Sequence, residues 1–229
     1  MISLTENLAQ WRPVPFPEVA TLTGGWVELH PLSAGDHTSA LWQAVLGHDE
    51  VWDWLGDGPY AREEDLFAAL ELKEKGAAAR FFAILPRQAS GVVGTAAGYA
   101  SLMRIDAANG VIEVGNVMFS PQLQRTPAAT EAMYLMARYV FEELGYRRYE
   151  WKCNALNLPS RRAALRLGFT FEGIFRQHMV IKGRNRDTAW FSMLDSEWAE
   201  RKRAFEAWLA TENFDAEGRQ KRPLGLFSS

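Results

Sequence analysis

Residues 120–133 read SPQLQRTPAATEAM and join an apolar run to a long helical pattern. A helix that starts after a strand leaves its first amides unpaired and pointing outward. The helix dipole adds to their pull on an anion. Ala128 and Ala129 are small enough to let a bulky phosphate approach the backbone. Thr126 and Thr130 carry hydroxyls, and Arg125 can give a charge-assisted bond. The same residues also suit a plain helix start, with Thr126 as N-cap and Pro127 in the first turn. Neither the dinucleotide-binding glycine fingerprint nor a lysine-bearing phosphate loop is present.

Two further features weigh toward a ligand. Asn157-Leu158-Pro159-Ser160-Arg161-Arg162 opens a second short helix after the next strand, and Leu167-Gly168-Phe169 ends it in a tight glycine stop. If the strands before the two helices are parallel neighbours, both helix starts open on one edge of the sheet, where ligands bind in such folds. Two phosphate-friendly helix starts side by side suit a pyrophosphate-bearing cofactor.

The elements that position these residues follow from pattern. The chain has 229 residues, 48% hydrophobic and 23% charged, with a net charge of -3. That is a globular composition with a real core, and it gives no support to nucleic-acid binding. The single cysteine, Cys153, excludes an internal disulfide. His30, His37, His48 and His178 show no metal-ligand spacing. No window approaches 18 apolar residues and the N-terminus lacks the pattern of a signal peptide, so a cytoplasmic protein without a membrane span is expected.

Pro13, Pro15 and Pro17 predict a surface-wrapping N-terminal extension over residues 1–23. Trp26 to His30 alternates as a strand, and helices are expected from Ser33 with Leu41, Trp42, Val45 and Leu46 on one face, and over residues 61–76. Strands follow at 80–85, 92–105 and 110–119, with Asn109-Gly110 as the strongest hairpin signal. A helix over 126–144 stops at Gly145, and a strand over 146–153 leads to the short helix. The turn Lys182-Gly183-Arg184-Asn185 joins two late strands. A final helix near 196–210 presents Trp198, Phe205, Trp208 and Leu209, and precedes a tail. The expected organisation is a main domain over 24–195, with 196–229 as a C-terminal helix and tail. Either the late strands or the Trp198 helix could support a homodimer.

The run QRTPAATEAMYLMARYVFEELGYRRYEWKCNALNLPSRRAALRLGFTFEG resembles the GCN5-related N-acetyltransferase (GNAT) family, in its branch of ribosomal-protein N-terminal acetyltransferases. The resemblance covers roughly residues 25 to 195. It implies an α+β fold: a mostly antiparallel twisted central sheet with a splayed parallel strand pair, flanked by helices. It also implies acetyl-CoA as cofactor, with its pyrophosphate on Gln124, Arg125, Thr126, Ala128, Ala129 and Thr130. The pantetheine arm would pass between strands near 113–119 and 148–153, beside Asn157, Ser160 and Arg161. Pro127 stands where the family signature has glycine, so one amide donor is missing.

Acetyl transfer needs a neutral amine, a proton acceptor and donors for a developing oxyanion. Relatives commonly use a glutamate on the strand before the cradle, and Glu113 occupies that place. It could equally be a structural partner of Arg104. Asn116 and Ser120 could orient water or the acceptor. The family's leaving-group tyrosine, seven residues after Asn157, is Ala164 here. Trp52, Trp54 and Asp57 could form an aromatic and anionic wall for a cationic amine, or the tryptophans could simply anchor a loop. His178 could face the same site. The expected acceptor is a primary amine on a peptide N-terminus or a small cationic molecule. The competing reading is a CoA-binding or peptide-interaction module that kept the fold and lost turnover.

Overall fold

The computed structural model describes residues 8–18, 20–88, 90–215 and 218–226. Strands β1 (Leu22–Thr23) and β2 (Val27–Pro31) precede helices α1 (Ala34–Val45) and α2 (Glu63–Lys75). Strands β3 (Ala79–Pro86), β4 (Gly98–Asp106) and β5 (Val111–Phe119) lead into α3 (Pro127–Arg138). Then come β6 (Arg148–Asn154), α4 (Leu158–Arg166), β7 (Thr170–Ile181), β8 (Arg184–Leu194) and α5 (Asp195–Leu209). The eight strands form one sheet in the order β1-β2-β3-β4-β5-β6-β8-β7. Every neighbouring pair is antiparallel except β5 with β6, which is parallel.

Helices cover both faces. α1 and α2 bury Leu41, Val45, Leu66 and Leu70 against Ala83, Leu85, Tyr99 and Met118. On the other face α3 and α5 pack Met133, Met136, Trp198 and Phe205 over Ile112, Val114 and Tyr149. This two-sided cover explains why Phe82 to Leu85 are all buried rather than alternating. In α1 the buried residues are Ala34, His37, Thr38, Leu41 and Val45; Trp42 is half-buried, and Leu46 lies past the helix, exposed.

Glu131 ties the first strands to α3. Its carboxylate accepts from the amides of Gly25 at 3.0 Å, Trp26 at 2.6 Å and Val27 at 2.9 Å. Residues 1–7 of the expected extension lie outside the described residues; further along, the Pro15 and Glu18 carbonyls accept from the Tyr146 and Tyr139 hydroxyls. At the other end, Trp208, Phe214 and Leu224 enter the same core as α3 and α5.

The strand expected over 92–105 begins only at Gly98. Residues before it are held to β3 by separated bonds, Gly94 N to Pro86 O and Ala97 N to Ile84 O. Both hairpin turns form where the glycines predict them. Gly110 has φ +63°, and Lys182 and Gly183 have φ +48° and +72°, the double left-handed pair of a two-residue hairpin turn. α3 ends in a π-turn at Tyr139–Glu143 before Gly145, rather than as plain α-helix.

Candidate active site

The parallel pair opens in the middle. Pairing between β5 and β6 runs only from Val111 opposite Arg148 to Val114 opposite Trp151, although both strands continue. A bulge in β5 takes it off the ladder: between the pairs Tyr99–Met118 and Ser101–Gly115, the single β4 residue Ala100 faces two of β5, Asn116 and Val117. Asn116 sits there at φ +49°, and such bulges increase twist and re-aim the strand. Its side-chain amide donates to Ser101 Oγ at 3.2 Å and approaches Met103 Sδ at 3.4 Å.

Glu113 lies one pair short of this opening, directly across from Glu150. Two carboxylates at that spacing demand cations, and β6 supplies one from the same face. Lys152 Nζ is 2.9 Å from Glu113 Oε2 and 2.6 Å from Glu150 Oε2. Arg104 Nε stands 3.3 Å from Glu113 Oε2, and Arg148 pairs Glu150 at 2.7 Å and Glu172 at 2.5 Å. Lys152 also rides 3.9 Å from the centre of the Trp190 ring. Glu113 is buried, and its Oε2, although close to Lys152, has no partner aligned for a hydrogen bond. Burial pushes its pKa above the ordinary glutamate value, against the opposing pull of Lys152 and Arg104.

Ser120 is fully buried with its hydroxyl unpartnered, and its carbonyl accepts from Leu123 and Gln124. Gln124 donates its side-chain amide back to Phe119 O at 2.9 Å. Thr126 is the N-cap of α3: its hydroxyl accepts from Ala129 N at 3.1 Å and donates to Leu123 O at 2.6 Å. Both Ala129 N–H and the Thr126 hydroxyl are thereby engaged within the chain, contrary to the freedom expected of them. Thr130 N reaches Thr126 O at 3.4 Å, and its hydroxyl accepts from Arg166 Nη1 at 3.1 Å. Three amides stay without an acceptor among the described residues: Arg125, Thr126 and Ala128. Arg125 holds φ +62°, a left-handed residue that turns successive amides toward a common point.

At the second helix start, Asn157 Oδ1 accepts from Ser160 N at 3.1 Å as the N-cap of α4. Ser160 Oγ accepts from Trp151 Nε1 at 3.0 Å, and Arg161 donates to Ala155 O at 3.2 Å. Ala164 is fully buried. Cys153 faces the α3 side of the sheet, where burial raises its thiol pKa.

The expected aromatic and anionic wall takes a different form. Trp52 is 2% exposed, with its ring edge-on to Tyr60 in the core beneath α1 and α2, while Trp54 is 43% exposed. Asp57 pairs with Lys73 and accepts from the Tyr60 hydroxyl at 2.7 Å. Its charge is therefore neutralised by a residue 16 positions on, one that local sequence could not associate with it. His178 lies beside Trp190: its ring bonds Thr188 Oγ1 at 2.9 Å and packs against Trp190 and Phe175. The β7–β8 hairpin leans over the opening, with Lys182 Nζ on Trp52 O at 2.9 Å and Met179 Sδ 3.9 Å from Arg104 Nη2.

Lys152, Trp190 and Arg186 complete the cleft and were not singled out by sequence. A lysine inside the apolar run YEWKC was the available signal for Lys152. Arg186 carried none.

The family model for the acetyltransferase (GNAT) domain matches residues 27–170. A GCN5-related N-acetyltransferase from Brucella melitensis is 51% identical, covering 96% of this chain and 98% of that one, with a TM-score of 0.91. The uncharacterized N-acetyltransferase YnaD of Bacillus subtilis is 28% identical over 160 residues, 69% of this chain and 89% of its own. A Salmonella typhimurium acetyltransferase that modifies the N-terminal serine of ribosomal protein L7/L12 shares the fold, at 21% identity and TM-score 0.62, covering 76% and 99%. The chain belongs to the GNAT acetyltransferase family. It is accordingly an acyltransferase by class, with the parallel-pair opening as its distinguishing architectural feature.

Proposed function

We propose that this chain moves the acetyl group of acetyl-CoA onto a primary amine, on a small molecule or at a peptide N-terminus. One juxtaposition carries the reading: the strand opening lies beside a buried carboxylate, Glu113, that keeps one oxygen without an aligned hydrogen bond. The residues present fit the cofactor. The unpaired amides of Arg125, Thr126 and Ala128 would hold its pyrophosphate, and Asn157 with the opened strands would line its pantetheine arm. Pro127 contributes no donor.

Acetyl-CoA supplies an activated thioester carbonyl. The amine nitrogen forms the new C–N bond as the C–S bond breaks, and its surplus proton must leave. Glu113 receives that proton, directly or through one water, with a basicity kept above an ordinary glutamate's by burial. Lys152 and Arg104 hold the carboxylate in place. Asn116, in the opened part of β5, and Ser120, just past its end, orient water or the acceptor. Ala164 has no titratable group, so the thiolate leaves without a proton from that position. The peptide alternative draws on the Salmonella enzyme, whose acceptor is a protein N-terminus.

Calorimetric titration with acetyl-CoA and with CoA tests the cofactor assignment. Binding tighter than about 100 μM is expected for both. No heat at that concentration, with the protein folded, removes the reading.

A further inference from the structure

Arg186 lies on β8 two residues beyond Thr188, whose register partner is Asn154 at the end of β6. Side chains two apart share a face, so Arg186 follows Lys152, Trp190 and Thr188 along the cleft side of the sheet. Its cross-strand partner on β7 is Met179, the residue whose sulfur meets Arg104. Arg186 therefore stands in the cleft with Arg104, Lys152 and His178 around it.

The charges there do not balance. Arg104, Arg148, Lys152 and Arg186 are four cations; Glu113, Glu150 and Glu172 are three carboxylates. Each carboxylate already has a partner: Glu113 has Lys152 and Arg104, Glu150 has Lys152 and Arg148, and Glu172 has Arg148. Arg186 has none. Its side chain makes no ion pair or hydrogen bond among the described residues, and its Nε is buried without a partner. A guanidinium nitrogen that loses water and gains no partner is costly, and a planar fork of donors matches a carboxylate in shape. Desolvation lowers its pKa, against the weaker pull of the Cys153 sulfur and the Glu113 carboxylate, and Arg104 adds like-charge repulsion. On the other side of the ledger, the one anionic group expected to greet a cationic acceptor, Asp57, is consumed by Lys73.

We propose that the acceptor amine carries a carboxylate close to its nitrogen, and that Arg186 binds it while Lys152 and Arg104 keep the surrounding field positive. This deepens, and rests on, the acetyl-transfer reading above. Two sources share that chemistry: the α-carboxylate of a free amino acid, and an acidic side chain beside a peptide's N-terminal amine.

The test compares matched acceptors, each with and without the anion: free amino acids against their carboxamides, and peptides with Glu against Gln at the second position. Thiol release gives kcat/KM for each. Calorimetry of the corresponding N-acetylated products, with CoA present, reads the same site without requiring turnover. The carboxylate member of one pair is expected to be favoured at least tenfold in kcat/KM and in product affinity, and the pair that shows it names the source. Arg186→Met should abolish that preference, with KM for acetyl-CoA unchanged, while Arg186→Lys retains part of it. Because Arg186→Met removes an unpaired desolvated charge, its Tm should equal or exceed the parent's, which separates loss of recognition from loss of fold. Equal rates and affinities for both members of each pair overturn the proposal even if acetyl transfer is vigorous. A raised KM for acetyl-CoA in Arg186→Met, with acceptor preference intact, also overturns it by moving Arg186 to the cofactor side. If no amine is acetylated yet carboxylate products still bind preferentially through Arg186, the anion site stands and the transfer reading falls.

Discussion

Replacing Glu113 by glutamine removes the proposed proton acceptor while keeping the side chain's size. Loss of a general base costs roughly 100- to 10,000-fold in rate. The lower end applies here, because an amine can also lose its proton to solvent and because Lys152 and Arg104 restrain the carboxylate's basicity. A 100-fold loss in kcat/KM is about 2.7 kcal/mol of transition-state stabilisation. The fold should survive. Lys152 keeps Glu150 at 2.6 Å and the Trp190 ring, and Arg104, 40% exposed, can turn to water. The stability loss is therefore about 1 kcal/mol rather than the several expected when a buried charge is orphaned. That corresponds to about 2–4 °C in Tm for a chain of this size. Thiol release followed from acid to alkaline pH supplies a second reading. Glu113 must be ionised to act, and its pKa is raised, so the parent's activity should fall with acidification at a pH above the ordinary carboxylate value of about 4.3. The glutamine variant should lack that limb. Unchanged kcat/KM across the whole range would refute the base assignment and leave Glu113 as an ionic strut between β5 and β6.

Three other outcomes follow from the packing. Glu131→Ala strands three backbone amides of the first strands, and we expect a loss of about 3 kcal/mol, read as a Tm lower by about 6–12 °C; a shift under 2 °C, on the same scale, would contradict the strap role. Thr126→Ala removes the cap on Ala129 and the bond to Leu123, costing about 1 kcal/mol, and it should raise KM for acetyl-CoA without changing kcat. An unaltered KM would mean that the loop does not depend on this cap. His37 is buried with its Nδ1 accepting from Ser33 N at 3.0 Å, and burial lowers its pKa below the ordinary 6.5. The unfolded chain binds that proton more readily, so stability should fall as pH drops below about 6.5 toward the lowered value, and stay flat above it. Urea midpoints for the parent and His37→Asn should diverge only in that acidic window; parallel curves would exclude His37 as the source.

Much of the fold can be read locally because its signals are local. Glycines at 110 and 183 mark hairpin turns, Thr126 with Pro127 marks a helix start, and Asn157 with Pro159 marks another. Even the glycine stop at 167–169 forms as written, with Phe169 N bonded to Ala164 O. What escapes is set by pairing across the sheet. Glu113 opposite Glu150 and Lys152 beside Trp190 are facts of register, invisible until β5, β6 and β8 are aligned. The fate of Asp57 is similar, since Lys73 reaches it from the next helix. Composition around the DEVWDWLGDGPY loop suggested an acidic wall, but tertiary contact neutralised the charge and buried Trp52. At α3 the cradle's small residues are legible, yet which amides remain free depends on the Thr126 rotamer and its two bonds.

The proposed activity is acetyl transfer to an amine at the β5–β6 opening. It is tested most directly by incubating the protein with acetyl-CoA and an amine panel, measuring free thiol and acetylated amine together by mass. Equal amounts of both products are expected, with the yield depressed about 100-fold in Glu113→Gln. Thiol release without an acetylated amine, or no release from a protein that binds acetyl-CoA, would contradict it.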